Sequence, residues 1–217
     1  MSLTGKHIVV TAGGTREPID PVRYIGNRSS GKMGFALADA AKDRGAIVTF
    51  VTTVTPPDAE KYDDVRMVQT VAEMRGAVLD ACESADVLIM AAAVSDFRVE
   101  NPAPIKIKKH GKKLVLELVR TEDFLLDLPD TFLKVGFAAE TNDLMKNAEK
   151  KLKAKRLDFI CANDVSAPDA GFAVDTNRVT MLFRDGRREE LPLMSKREVA
   201  EKILDSVEGC LEQQTEE

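Results

Sequence analysis

The feature that most constrains this chain is a rhythm. Short apolar runs, each too brief for a helix that spans a domain, recur between segments with helical spacing. His7–Thr11 (HIVVT), Ala46–Thr52 (AIVTFVT), Val65–Val68, Val87–Ala92 (VLIMAA), Val135–Ala139 (VGFAA) and Phe159–Ala162 (FICA) are apolar or β-branched almost throughout, as strands buried on both faces are. Between them, Gly34–Arg44 is small and apolar on most faces, and Gly45 supplies a stop. Thr70 and Glu73 make a capping box ahead of a stripe of Val71, Met74, Val78 and Cys82. Leu144, Ala148 and Leu152 repeat at i, i+4, i+8. Alternation of this kind predicts a mostly parallel, Rossmann-like doubly wound α/β sheet with helices on both faces. Ligands of such sheets sit beyond the carboxyl ends of the strands, so chemistry is expected after Thr11, Ala92, Ala139 and Ala162.

Two stretches interrupt the rhythm. Ile105–Lys109 and Lys113–Leu118 read as a protruding hairpin turned at His110-Gly111-Lys112. Arg178–Phe183 and Glu189–Leu193 read as a second hairpin about Asp185-Gly186. A last helix starts at a Ser195/Glu198 capping box and carries Val199, Ile203 and Val207, and residues 212–217 are expected to fray. The 217 residues are read as a single domain, and a chain of this length buries about 70–75% of its unfolded surface without disulfide or metal.

Composition removes several classes of function. The formal charge of −5 argues against a general nucleic-acid binder. Cys82, Cys161 and Cys210 lack zinc or redox spacing. His7 and His110 are the two histidines, without a GxSxG or HExxH context, so a protein nucleophile or a histidine metal site is not expected. No apolar stretch reaches 18 residues and MSLTGK is not a signal peptide, so a cytoplasmic protein that makes no use of a membrane is expected.

Five local patterns carry chemical meaning. Gly13–Gly14 after the first strand lets backbone approach a phosphate or ribose, or simply makes a tight turn. A dinucleotide fingerprint would open straight into a helix and place an acid after the second strand. Here Glu17–Pro21 intervenes and that strand ends in threonines, which weighs against a nicotinamide oxidoreductase. Gly26–Lys32 matches GxxxxGK, but Met33 stands where a Walker loop has Ser or Thr. Ser29 and Ser30 at a helix start suit an anion, or serve only as a helix cap. Arg23 and Asn27 just upstream suit a carboxylate or phosphate. Ala91–Ala93 leave room for a flat ligand, with Asp96 as its polar partner or as a turn cap. Lys106, Lys108, Lys109, Lys112 and Lys113 place five cations in eight residues, either a lysine-defended edge or a triphosphate contact. An RNA grip would want interleaved aromatics. Lys151 and Lys155 lie at i, i+4, on a solvated face or facing a nucleotide.

In combination, TAGGTREPIDPVRYIGNRSSGKMGFALA (Thr11–Ala38), AAAVSDF (Ala91–Phe97), KIKK (Lys106–Lys109), GFAAET (Gly136–Thr141) and LDFICANDV (Leu157–Val165) resemble the phosphopantothenate–cysteine ligases, over roughly Gly5 to Phe183. The resemblance, nearest to the bacterial branch, implies coenzyme A biosynthesis. The carboxylate of 4′-phosphopantothenate attacks CTP to give an acyl cytidylate and pyrophosphate, and the amine of L-cysteine then displaces CMP. Magnesium accompanies the triphosphate; no flavin is expected in this chain, and its metal ligands are not implied. Carried over by motif, Asn27 and Lys106 are catalytic, with Asn27 holding the acyl group and Lys106 contacting CTP. Arg23 and Asn27 bind phosphopantothenate. Met90, Ala91, Ala92, Asp96, Lys106, Glu122, Asp123, Phe124, Leu125, Phe137, Lys151 and Lys155 bind the nucleotide. Glu122 stands where the family often has proline. The resemblance also implies a homodimer with the lysine hairpin near the partner, and fusion to or association with a phosphopantothenoylcysteine decarboxylase.

Overall fold

A computed structural model describes residues 3–109, 111, 113–140, 143–164 and 174–216. The first half runs β1 (His7–Ala12), β2 (Arg16–Pro18), β3 (Tyr24–Gly26), α1 (Lys32–Asp43), β4 (Ile47–Thr52), β5 (Asp64–Met67), α2 (Val71–Ala81) and β6 (Val87–Met90). The second half adds β7 (Phe97–Val99), β8 (Leu118–Arg120), β9 (Leu133–Glu140), α3 (Leu144–Ala154), β10 (Phe159–Asp164), β11 (Thr176–Asn177), β12 (Val179–Phe183), β13 (Arg188–Glu190), β14 (Met194–Ser195) and α4 (Lys196–Glu216). The doubly wound sheet expected from the sequence is present: β5-β4-β1-β6-β9-β10 are parallel, and β12 and β13 continue the sheet antiparallel. Strand order reverses between β1 and β6, so the topological switch point lies at their carboxyl ends.

Alternation along β1 explains the two layers. Ile8 and Val10 face α1 and α4, packing with Leu37, Ala41, Ile203 and Val207; Val9 faces α2, with Met74 and Val78. Beside α2, Ala148 and Leu152 of α3 cover Ile160 and Ala162 of β10. The alanines of α1 set its distance from the sheet. A Cβ on Gly34 would lie 2.5 Å from Ala12 Cβ and 2.9 Å from Thr11 O, so the first turn of α1 rests on the end of β1. Both capping boxes form: Glu73 N–H reaches Thr70 Oγ1 at 3.2 Å, and Glu198 N–H reaches Ser195 Oγ at 3.2 Å.

The second expected hairpin is β12–β13, with Gly186 at φ +90° in its turn. The first takes another form. Among the described residues Ile105–Lys109 has no strand partner, and Leu118–Arg120 pairs instead with Phe97–Val99; His110 and Lys112 lie outside the described residues. Ile105 and Ile107 would share one face of a strand, but Ile105 is exposed and only Ile107 is half-buried, and this stretch lies as a strap along the loop after β2. The loop after β1 is itself a hairpin, β2–β3, inserted before α1. At the other end, α4 extends to Glu216, past the point where fraying was expected.

Candidate active site at the carboxyl rim of the sheet

The segments leaving β1 and β6 are zipped together above the switch point. Ala93 N–H donates to Gly13 O at 2.8 Å, Thr15 N–H to Ala93 O at 3.2 Å, and Ser95 N–H to Thr15 Oγ1 at 2.9 Å. Thr121 Oγ1 donates to Ser95 O at 2.6 Å, which brings the start of the 121–125 segment to the same place. Asn27 joins the zipper from the other side, its Nδ2 3.3 Å from Val94 O. Glycine is required for this approach, because a Cβ on Gly14 would fall 2.5 Å from the Asn27 carbonyl oxygen. At Gly13, with φ +83°, a Cβ would fall 2.1 Å from Thr53 Oγ1 after β4. Threonine stands in that position in place of the acid that a dinucleotide fingerprint uses on the ribose.

The expected nucleotide residues are divided between the faces of the sheet, with Ala91 and Phe137 packed against the cluster of α1 and α4. Met90, Phe124 and Leu125 are buried in one apolar cluster, with Ala92 packed against it. Ala92 N–H donates to Thr11 Oγ1 at 3.0 Å, which fixes the backbone at the end of β6. Asp123 pairs with Lys155 across to α3, and Lys151 Nζ donates to Phe137 O at 2.7 Å. Glu122 is exposed, 3.7 Å from Arg75, and Asp96 is exposed at the loop tip. Arg23 and Lys106 meet elsewhere, on the strap: Arg23 Nη2 donates to Ile107 O at 3.1 Å and Lys106 is exposed beside it. Arg23 is also paired with Asp20, whose carboxyl it holds well below the usual carboxylate range.

A cleft between α1 and the ends of β9 and β10 adds residues that sequence reasoning passed over. The helix start bears on one of the two readings of the serines, because neither Ser29 nor Ser30 is the N-cap. Gly31, at φ +79°, is the N-cap of α1, and the cap carries no side-chain hydrogen bond to the helix. The cleft encloses about 50 Å³, room for a few waters or one small ionic group, and is lined by Ser29, Gly31, Ala91, Phe137, Asn163 and Lys196 among others. Asn163 Oδ1 is buried without a hydrogen-bond partner. Lys196 is 6% exposed and bonds Val174 O at 2.6 Å, and burial together with Lys32 lowers its pKa. Its proximity was hidden because Lys196 opens the last helix, far from α1 in sequence. Asn163 is a buried amide next to Asp164 at the end of β10, a place where a polar residue has an ordinary local explanation.

The thiols and the first histidine stand apart from this chemistry. Burial pushes the Cys82 thiol up to about 12, and raises Cys161 as well, so neither is a thiolate near neutrality. His7 lies at the amino end of β1, bonded to Ser84 and Thr49. Among the described residues, no group of three or more His, Cys, Asp and Glu side chains is placed to hold a metal.

Fold and site together define a class: a doubly wound α/β domain with backbone amides and a helix amino terminus gathered around its switch point, and a lysine strap on the β2–β3 loop. Residues 3–211 match the family described as the DNA/pantothenate metabolism flavoprotein C-terminal domain, and the chain belongs to that family. It is 48% identical over 219 residues to the coenzyme A biosynthesis bifunctional protein CoaBC of Bacillus subtilis, covering 99% of this chain and 54% of the relative. The protein of that name from Escherichia coli K12 is 44% identical, covering 93% of this chain and 51% of the relative. The chain thus spans about half the length of these relatives. Among solved structures, the C-terminal domain of a CoaBC protein superposes with a TM-score of 0.77 at 40% identity, covering 97% of each chain. The Cab2 mutant H337A, whose structure is a complex with phosphopantothenate-cysteine, shares the fold at TM-score 0.75 and 19% identity, covering 96% of this chain and 87% of its own.

Proposed function

We propose that this chain is a ligase unit that joins 4′-phosphopantothenate to L-cysteine with CTP, releasing CMP and pyrophosphate. The observation that carries the reading is the convergence of Asn27, Met90–Ala92, Phe137, Lys151 and Lys155 at the carboxyl rim, with buried thiols that supply no nucleophile. Similarity to the C-terminal domain of CoaBC supports it.

Both nucleophiles belong to substrates. The phosphopantothenate carboxylate attacks the α-phosphorus of CTP, forming the acyl–phosphate bond as the bond to pyrophosphate breaks. The cysteine amine then attacks the acyl carbon, losing a proton as CMP leaves. The protein's share is to position and to stabilise charge. Asn27 Nδ2 holds the acyl oxygen, Arg23 binds the phosphopantothenate, and Lys106 neutralises charge on the phosphates. Met90, Ala91, Ala92 and Asp96 meet the cytidine, and the 122–125 segment with Phe137, Lys151 and Lys155 closes the pocket. The start of α1, with Lys32 and Lys196 nearby, suits a substrate phosphate.

Magnesium would accompany the triphosphate and help to neutralise its charge; among the described residues no group of three or more His, Cys, Asp and Glu side chains is placed to hold it. The reading assigns no flavin to this chain and places the reaction in the cytoplasm; among the described residues no helix is long and apolar enough to cross a membrane. The chain works as a homodimer. A decarboxylase fused or associated with it consumes the product, which accords with the bifunctional name of the relatives.

The test is pyrophosphate release from CTP or ATP in the presence of phosphopantothenate and cysteine. Release is expected with CTP and only with the acid present; equal release without it overturns the reading. Lys106→Gln and Asn27→Ala each remove a transition-state contact worth about 3–4 kcal/mol, so each is expected to slow turnover a hundredfold or more with the fold intact. Undiminished turnover in either variant removes that residue from the site.

A further inference from the structure

We propose that Asp20 is a positioning residue, a single buried carboxylate that holds the Arg23 guanidinium and the Lys106-bearing strap in one fixed relation. The inference rests on the roles given to Arg23 and Lys106 above. The Asp20 side chain has no solvent exposure. Its Oδ1 accepts from the N–H groups of Val22 at 2.9 Å and Arg23 at 3.0 Å. Its Oδ2 accepts from Arg23 Nε at 3.0 Å, from Arg23 Nη2, and from Ile107 N–H at 3.1 Å. Arg23 Nη2 then donates to Ile107 O at 3.1 Å.

Ile107 is therefore gripped at both ends of its backbone, by the carboxylate and by the guanidinium that the carboxylate orients. Lys106 is the next residue along. Among the described residues, Ile105–Lys109 has no strand partner, and another tie of this segment to the β2–β3 loop is Ala103 N–H to Ile19 O at 2.9 Å. Lose the Asp20 clamp and the lysine is left on a strap without its hold at Ile107, while Arg23 loses its orientation.

Asp20→Asn is the informative change. All five groups aimed at Asp20 are donors, and an amide presents its own N–H₂ on one side. Whichever way the introduced amide turns, donors face donors at either the Val22–Arg23 turn or the Arg23–Ile107 side. We expect amide hydrogen exchange at Ile107 to quicken at least tenfold and trypsin to cut after Lys106, Lys108 and Lys109 faster. We expect kcat for CTP-dependent pyrophosphate release to fall at least tenfold, with a smaller change in the KM for CTP. Glu17→Gln is the control, because Glu17 is equally buried and bonds Val71 N–H at 2.8 Å, away from the strap. It is expected to lower thermal stability without freeing Ile107 or reducing kcat.

Ile107 exchange within twofold of the wild type in Asp20→Asn overturns the proposal, as does an undiminished kcat or the same effects in Glu17→Gln. Should Asp20→Asn not fold, the wild type decides alone: an Ile107 amide no better protected than those of Lys106 and Lys108 overturns the clamp. A wild type that releases no pyrophosphate from CTP sinks the proposed function instead, and the exchange data still report on Asp20.

Discussion

Single residues at the switch point act mainly by what they leave out. Gly14 has no side chain, and that absence lets Asn27 stand against the β1 loop and reach Val94 O. Gly14→Ala would press a methyl onto the Asn27 carbonyl, which belongs to backbone and has little freedom to retreat. Overpacking of this kind costs about 1–3 kcal/mol. A displaced Asn27 is expected to slow ligation by roughly 10²-fold. Thermal melts with the pyrophosphate assay check both halves, and full activity in Gly14→Ala would show that the placement of Asn27 is unimportant. Asn27, Ala91, Ala92 and Lys106 were visible in the sequence because they stand in unusual local patterns. Asp20, Asn163 and Lys196 were not, since an acid in a turn, an amide in a strand and a lysine opening a helix each have ordinary local explanations. Their neighbours come from 80 or more residues away: Ile107 for Asp20, and for Lys196 and Asn163 the start of α1.

Elements were legible where hydrophobic period and caps agreed. The two capping boxes and the alternation of strand and helix are local properties, and they formed as expected. The lysine hairpin failed because the reading paired residues by proximity in sequence. A strand needs one face to bury, and Ile105–Lys109 has a single half-buried position, Ile107. The apolar Leu118–Arg120 run found its partner in Phe97–Val99 instead. Between helices, α1 and α4 are locked by Arg44 at the end of α1, which reaches Glu201 at 2.6 Å, Asp205 at 2.8 Å and Glu208 at 3.2 Å. Arg44 is mostly buried, at 17% exposure, whereas Asp205 is about half exposed, so solvent discounts part of the network. Removing the guanidinium leaves three carboxylates without their shared cation. Arg44→Ala is expected to destabilise the fold by about 1–2 kcal/mol, less in high salt. Chemical denaturation at low and high salt measures this, and a salt-independent loss would assign the effect to packing.

Across the whole molecule, the apolar residues left in solvent are concentrated on the additions to the sheet rather than on the sheet itself. Val22, Tyr24, Phe97, Ile105, Leu114, Val115 and Leu118 are exposed on β2–β3, β7–β8 and the strap, with Ile105 at 75% and Val115 at 83%. Such a concentration suits the proposed second copy of the chain. The wild type is expected to sediment as a dimer of 23.8 kDa chains, and Ile105→Glu with Val115→Glu to sediment as a monomer. A monomeric wild type would remove the dimer from the proposed function.

The amino-acid sequence alone determined the α/β class and pointed to the rim proposed here for the chemistry, because buried strands, helix caps and glycine turns are written in spacings of a few residues. Tertiary structure alone decided that Gly31 rather than a serine opens α1, that the lysine strap lies against Asp20, and that Asn163 and Lys196 share a cleft with the start of α1. The physical reason is range. A period or a cap is a local energy, whereas hydrogen bonds between residues 80 or more apart depend on which strands neighbour each other, and that order follows from burying both faces of one sheet at once.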